Sequence, residues 1–483
     1  MLKKILFALF AVLFMFTSTN IYSYGEYNTP DSWSMHVTPG GFKESYQGLK
    51  LGNTAILNLN LTSRYRLRAN EYDEDQDFYQ YFRGNINNIK LGQGSIYASF
   101  FLRAADDING REKGLSDGNY HFYDDSLDST LDRDNLEARL YHGEVTFDNV
   151  IPDAKVVLGR QYVSHLETVQ IDGADISYKI NDKITIFGFS GGAVSYFNSW
   201  DDDWVHGGGI EFKPFNKTKV RAEYIRTNVE DYSDDIFNLR ADQVISFGNI
   251  YAQFGNIDNA ESLQAGGVFR IDKTNTTFNL KYEGIFDEVR DDTGYVENPL
   301  TYALLPYGKY NLYNFAVYQG ILEHLVVGAG LELRDANGRE DFFNRDYAKY
   351  FGSIDIIDFP TKGTYMSFFT EKWETDDNKK SSDEDKMQLG ARISQQITPA
   401  LDVYAGTEYY RYKYDFVSFD YLDTQILRGR KRESVRTYYI GTKWEASKRV
   451  NLILDCNMEN ADVFDNEDFE NNYTLEAWLN IIL

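Results

Sequence analysis

Three arginines, Arg64, Arg66 and Arg68, alternate with Tyr65 and Leu67. On an extended chain alternate residues share a face, so the three guanidiniums would recur every ~6.6 Å along one side. Guanidinium stays charged at any working pH and holds carboxylate or phosphate oxygens bidentately. Three like charges at that spacing repel unless something compensates. One reading is a basic track that an anion follows. The other is a structural network completed by Asp and Glu on neighbouring segments. Six further arginines, Arg103, Arg221, Arg240, Arg270, Arg334 and Arg392, fall on the polar side of alternating segments. Glu223, Asp242, Glu283, Glu332, Asp402, Glu408 and Asp455 fall there too, so the polar faces carry mixed charge.

Other groupings offer weaker chemistry. The stretch Asp106 to Asn135 is dense in carboxylates, and Asp124, Asp125 and Asp128 are its candidate ligands for a hard divalent cation. The stretch lacks the Asp-x-Asp-x-Asp-Gly order of an EF-hand, and a solvated acidic loop is the favoured reading. Arg428-Gly429-Arg430-Lys431-Arg432 is the one basic run. It could meet lipopolysaccharide phosphate, fold inward, or simply lie on the surface. The six histidines, His36, His121, His142, His165, His206 and His324, sit in no nucleophile motif. Ser164 and His165 are adjacent, but neighbours on a strand point to opposite faces. No Cys-x-x-Cys-His or phosphate-cradling loop occurs. The reading is therefore not an enzyme, with no cofactor.

The segments that carry these residues share one period. Leu57, Leu59, Leu61, Tyr65 and Leu67 alternate with Asn58, Asn60, Thr62 and the three arginines. The alternation returns at Ile96 to Arg103, Lys219 to Tyr224, Phe237 to Asp242, Phe278 to Tyr282, Leu325 to Leu331 and Val450 to Leu454. That is the β signal. Connections fall into two classes. Short ones include Asn181 to Lys183, Pro214 to Thr218, Asp272 to Asn275, Phe359 to Lys362, Thr398 to Ala400 and Ala446 to Lys448. Longer acidic ones include Glu71 to Asp77, Asp106 to Asn135, Trp200 to Trp204, Asp287 to Asn298, Thr375 to Asp385, Asp415 to Lys431 and Ala461 to Glu470. Pro152, Pro214, Pro360 and Pro399 lie in the short class, where no ladder hydrogen bond is lost. Leu475, Ala477, Leu479, Ile481 and Leu483 form a final alternating strand.

Composition decides where such a sheet could live. The chain has 483 residues, 49 Lys+Arg against 74 Asp+Glu, and a net charge of -25, which excludes nucleic acid as a partner. One Cys excludes a disulfide framework. A mean hydropathy of -0.48 argues against a helical membrane protein but not against a membrane barrel. Aromatics make up 16%, with 37 Tyr and 33 Phe, which fits interfacial girdles. Tyr65, Tyr79, Tyr409, Tyr410, Tyr438 and Tyr473 are expected there. Lys3-Lys4, the apolar run Ile5 to Phe16 and the small polar Thr17 to Ser23 read as a Sec-type signal peptide.

The expectation is an all-β protein: a single antiparallel transmembrane barrel of roughly 18–22 strands in the outer membrane of a Gram-negative cell. Residues 1–23 are the signal peptide, 24–50 a periplasmic or lumenal segment, and 51–483 the barrel. Sixteen or more strands leave an aqueous lumen, so the nine arginines become candidate pore-lining residues. Partners would be outer-membrane lipid and lipopolysaccharide, the barrel-assembly machinery and a hydrophilic solute. A sheath around a periplasmic cytochrome or export partner is the alternative.

Three stretches resemble the alginate-export type of outer-membrane barrel: Ser63-Arg64-Tyr65-Arg66-Leu67-Arg68, Leu158-Gly159-Arg160-Gln161, and Asp172-Gly173-Ala174-Asp175-Ile176-Ser177-Tyr178. The resemblance implies an 18-stranded monomeric barrel with a cationic lumen for an anionic polysaccharide. The mixed charge of the polar faces departs from that pattern.

Overall fold

The computed structural model describes residues 49–51, 54–70, 74–108, 137–194, 204–229, 232–257, 260–287, 309–337, 346–375, 384–419, 425–462 and 470–483. Residues 1–48, including the signal-peptide reading, lie outside them, as do Asp124, Asp125 and Asp128.

The first strands are β1 (Leu49–Leu51), β2 (Ala55–Ala69), β3 (Glu74–Leu91), β4 (Gly94–Asp107), β5 (Glu137–Asp148), β6 (Ala154–Ser164), β7 (Thr168–Asn181) and β8 (Ile184–Ala193). Next come β9 (Trp204–Phe215), β10 (Thr218–Val229), β11 (Tyr232–Ile245), β12 (Gly248–Ile257), β13 (Ala260–Ile271), β14 (Thr276–Ile285), β15 (Tyr310–Leu322) and β16 (Leu325–Ala336). The last are β17 (Tyr347–Ile357), β18 (Thr364–Thr375), β19 (Glu384–Thr398), β20 (Leu401–Phe419), β21 (Gln425–Ser447), β22 (Val450–Asp462) and β23 (Glu470–Ile482).

From β2 onward each strand pairs antiparallel with the next, and β23 pairs back onto β2 from Asn60↔Ile482 to Ala69↔Tyr473. The sheet is therefore a closed 22-strand barrel. Where β23 ends, Leu483 exchanges backbone bonds with Leu59, and β1 covers the remaining edge of β2 from Ala55 to Leu57. The 18 strands implied by the family resemblance are corrected to 22.

Alternation sorts side chains to the two faces, as a sheet requires. Outside, Phe237, Leu239, Phe315, Ile354, Leu454 and Leu475 are among the exposed large apolar residues. Inside runs a polar and charged face that includes Glu223, Asn238, Gln253 and Glu408. At one rim the links are short, at 92–93, 149–153, 182–183, 216–217, 246–247, 272–275, 323–324, 358–363, 399–400 and 448–449. Asn149, Asp153, Asn275 and Asp358 there take φ of 54°, 61°, 51° and 55°, a left-handed region that Asn and Asp tolerate best among non-glycine residues.

Two expected loops turn out to be strand. Glu74 to Asp77 opens β3, which places Asp75 and Asp77 beside the first strand. Asp415 to Phe419 and Gln425 to Lys431 extend a long β20–β21 hairpin, so Arg428 to Arg432 lie on a strand. Two expected girdle residues also face the other way. Tyr79 points inward and is buried, and Tyr410 shares the inward face of β20 with Glu408. Tyr438 and Tyr473 do face outward and are exposed.

Because the outer face meets hydrocarbon, Leu59→Arg near mid-bilayer is expected to cost ~2–4 kcal/mol. The adjacent inward change Asn60→Arg should cost much less. Urea unfolding in lipid, followed by heat-modifiable gel migration, reads the difference, and equal costs would mean the register is wrong.

Candidate functional site: the lumenal wall

All nine predicted arginines stand on inward faces of the barrel, but they are not equivalent. Arg64, Arg66 and Arg68 are buried, and each meets an acid. Arg64 pairs with Glu476 on β23. Arg66 donates through Nε to Asp77 at 2.7 Å and through Nη2 to the Tyr79 hydroxyl at 2.9 Å. Arg68 reaches Asp75 at 2.6 Å. One carboxylate for each guanidinium explains how three of them can stand in one row. It also makes the ladder an ion network on the wall, the second of the two readings raised by its spacing.

Aromatic rings pack the same wall. The Arg64 guanidinium lies 4.8 Å from the Trp478 ring centre and 5.2 Å from that of Tyr79, and Trp478 Nε1 donates to Glu476 at 2.9 Å. Arg103 sits between Tyr79 and Tyr141, at 5.7 and 5.9 Å. Trp478, Tyr81, Phe101 and Tyr141 form a row across β23, β3, β4 and β5, with ring centres 6.3, 6.0 and 5.0 Å apart.

The remaining predicted arginines spread around the barrel. Arg221 and Arg240 share Asp242 at 3.0 and 2.9 Å. Arg334 and Arg392 lie over Tyr310 and Tyr404 at 4.4 and 5.0 Å. Arg270 is at the short-turn rim, 3.0 Å from Asp272, with a side chain 69% exposed. The structure thus brings Arg64, Arg66, Arg68 and Arg103 together, pairs Arg221 with Arg240, and leaves the other three apart.

A second feature lies where β6 and β7 meet. The β5–β6 ladder runs only from Gly143↔Arg160 to Asp148↔Lys155, while β6 and β7 stay paired to their tip. At the last β5–β6 rung, Arg160 donates to the Leu140 carbonyl at 2.8 Å while gripping Asp172 bidentately at 2.8 and 2.7 Å. Gln170 donates to the Tyr141 carbonyl. The tip 165–167 bends into the lumen and rests on β10, β11 and β12. Arg221 donates to the His165 carbonyl at 2.5 Å, and Glu167 N donates to Glu223 at 2.9 Å. The Glu167 carboxylate accepts from Asn238 and Gln253 at 3.1 and 3.3 Å.

Packing holds the hairpin there. Val163, Val169 and Ile171 join Phe189, Val205, Ile225, Ile236, Ile257, Ala260 and Ile285 in one buried lumenal cluster. His165 stacks on Phe187 at 3.8 Å and meets Asp175 at 3.0 Å. The Ser164 hydroxyl bonds Thr168, not His165, so no Ser–His relay forms. Gly207 and Gly209 on β9 make room for the rings. A Cβ at Gly207 would come within 2.5 Å of Phe189, and one at Gly209 within 2.6 Å of Phe187.

Sequence reasoning missed Asp75, Asp77, Glu476, Tyr79 and Trp478 as partners of the ladder, and the whole hairpin seat. The run Gly207-Gly208-Gly209 inside a strand was the available signal, since interior glycine marks close approach.

A closed antiparallel barrel with an apolar exterior and a charged interior is an outer-membrane β-barrel protein. No family model matches the chain, and no curated protein does. Among solved structures it is similar to OccAB3 of Acinetobacter baumannii, at 10% identity over 89% of this chain and 99% of that one, with a TM-score of 0.40. OprD of Pseudomonas aeruginosa aligns at 9% identity over 89% and 95%, with a TM-score of 0.36. A BenF-like porin from Pseudomonas fluorescens Pf-5 aligns at 12% over 89% and 99%, with a TM-score of 0.41.

Removing one partner of a buried ion pair leaves the other charge uncompensated. Arg66→Gln is therefore expected to destabilise the barrel by about 3–5 kcal/mol, and Arg66→Gln/Asp77→Asn to recover much of that loss. A double-mutant cycle in urea checks it. Additive losses would remove Asp77 as the partner of Arg66.

Proposed function

We propose that this protein is a porin-like channel that passes small hydrophilic solutes across the outer membrane. The observation that carries the reading is the closed barrel of 22 strands with an inward polar face, since a barrel of that size cannot fill its own interior with wall side chains. Mixed charge gives the lumen groups that replace water around a solute without trapping it.

Passage of an anionic oligo- or polysaccharide, as the alginate-export resemblance implies, asks for cations available along the path. The paired ladder argues for smaller solutes. A sheath around a periplasmic cytochrome asks for an unobstructed interior, and the hairpin tip 165–167 occupies part of it. Lipopolysaccharide outside and the assembly machinery during insertion are the partners this reading entails.

The purified protein should give discrete conductance steps in planar bilayers without any added partner. An electrically silent, correctly folded barrel would defeat the channel reading, and stoichiometric co-purification of a periplasmic protein would favour the sheath.

The docked hairpin gives a second test. Burial pushes the Glu167 carboxyl above the usual carboxylate range. Docking therefore takes up a proton. It is strongest at acid pH and loses strength as pH rises from the ordinary carboxylate value through the raised one. His165, Asp175, Arg221 and Glu223 surround the tip. Conductance should accordingly be lower at acid than at neutral pH, and Glu167→Gln should flatten that dependence. A pH response unchanged in the variant would assign it to another group.

A further inference from the structure

The basic run Arg428 to Arg432 lies on β21, which forms with β20 a hairpin longer than the membrane requires. β20 has 19 residues and β21 has 23, whereas crossing the hydrocarbon takes ~9–11. Trp444, Ile440 and Tyr438, all exposed, mark the outward face of β21 within the membrane. Beyond Tyr438, toward the long-link rim, β20 and β21 stay paired without a bulge to Ser418↔Leu427. The outward face can therefore be followed rung by rung. It sets Arg436 opposite Tyr409, Ser434 opposite Arg411, Arg432 opposite Lys413, Arg430 opposite Asp415 and Arg428 opposite Val417. The alternate rungs, on the inward face, set Val435, Glu433, Lys431 and Gly429 opposite Tyr410, Tyr412, Tyr414 and Phe416.

The two faces differ in kind. Register places Arg411, Lys413, Arg428, Arg430, Arg432 and Arg436 on the outward one. The acids on the same face of these strands and their neighbours are Asp415, Asp385 opposite Lys413, and Asp462 opposite Ser434. Cations outnumber acids six to three there, on a chain whose net charge is -25. The face is thus a local reversal of the molecule's field. Its lowest cations stand at the level of outward tyrosines. Arg436 is exposed and lies 5.8 Å from the Tyr409 ring centre, and Arg411 donates to the Met387 sulfur at 3.8 Å. Among the described residues neither pairs with a carboxylate. Successive rungs of one face are ~7 Å apart, so the row from Arg436 to Arg428 climbs ~27 Å of strand away from the hydrocarbon.

We propose that the outward face of the β20–β21 hairpin is a binding site for the phosphate groups of lipopolysaccharide. A phospholipid brings phosphate at one depth, that of its headgroup. Lipopolysaccharide brings phosphates on its lipid A sugars and more on the inner-core sugars above them. A row of cations that climbs from the tyrosine level matches that stack. Arg436 and Arg411 meet the lipid A phosphates, and Lys413, Arg432 and Arg428 meet those of the core. Guanidinium holds a phosphate through two parallel N–H bonds. It thereby does for this hairpin what divalent cations do between neighbouring lipopolysaccharide molecules. The inference rests on the outer-membrane placement of the barrel and not on conduction.

The test is binding of rough lipopolysaccharide to the intact barrel folded in detergent, with EDTA present, read by microscale thermophoresis. Dephosphorylated lipopolysaccharide, phosphatidylglycerol and inorganic phosphate are the comparisons, and the wild type should bind all three more weakly. Lys413→Gln/Arg432→Gln is expected to weaken lipopolysaccharide binding about tenfold or more, the value of a charge-assisted contact. Arg411→Gln/Arg436→Gln should do the same and covers the case of a poorly folding first variant. Heat-modifiable gel migration shows which variants are folded. Lys386→Gln/Lys431→Gln removes two cations from inward rungs of the same region and should bind as the wild type does. An equal loss in that control would make the effect one of net charge and overturn the site. So would undiminished binding in both outward variants, or wild-type protein that binds any of the three comparisons as tightly. Binding abolished by EDTA would assign the lipid to carboxylates bridged by a divalent cation, and likewise overturn it. Wild-type protein that binds lipopolysaccharide as expected yet stays silent in bilayers defeats the channel reading and leaves this site standing.

Discussion

A backbone amide in hydrocarbon has no water to turn to, so every N–H and C=O must find a partner within the protein. Everything else in this molecule depends on that constraint. It forces the last strand, β23, back onto β2. It makes β1 and Leu483 complete the edge that β23 leaves. Where the β5–β6 ladder stops, the side chains of Arg160 and Gln170 take over as donors to the carbonyls of Leu140 and Tyr141.

Closure has an electrostatic consequence. Pairing β23 with β2 sets Glu476 opposite Arg66, one row from Arg64. Pairing β3 with β2 sets Asp77 opposite Arg66 and Asp75 opposite Arg68. The row of cations is tolerable because the seam of the barrel carries its counterions. Removing charged groups from water costs more than a loose pair returns, and good geometry with added hydrogen bonds is what offsets it. Tyr79 and Trp478 supply part of that here. The three arginines at the seam are thereby each matched by an acid.

The hairpin of β6 and β7 shows the opposite use of the interior. A wide barrel has more inner surface than water-filled function requires, and a patch of it is apolar: Ile225, Ile236, Ile257 and Ile285 would face the lumen bare without a cover. Val163, Val169 and Ile171 cover them, and Glu167 and His165 fasten the tip. The link at 230–231, between two of the strands that receive the tip, is only two residues long.

The amino-acid sequence by itself determined the strands, their two faces, the short-turn rim and the inward position of all nine arginines. These follow from a period of two and from turn residues, both of which are local properties. The implied count of 18 strands came from short motifs, whereas the alternating segments and turns allowed roughly 18–22. What only the tertiary structure decided is which charge meets which. Arg64 and Glu476 lie 412 residues apart, and their contact exists only in the register at which the barrel closes. Tyr79 and Tyr410 were assigned outward because they lie near strand ends, but the parity of cross-strand pairing turns them inward. The docked hairpin was illegible for the same reason. Its seat is assembled from β8 to β14, and no window of sequence contains more than one side of it, whereas shape and burial across several strands are set together when the sheet curls shut.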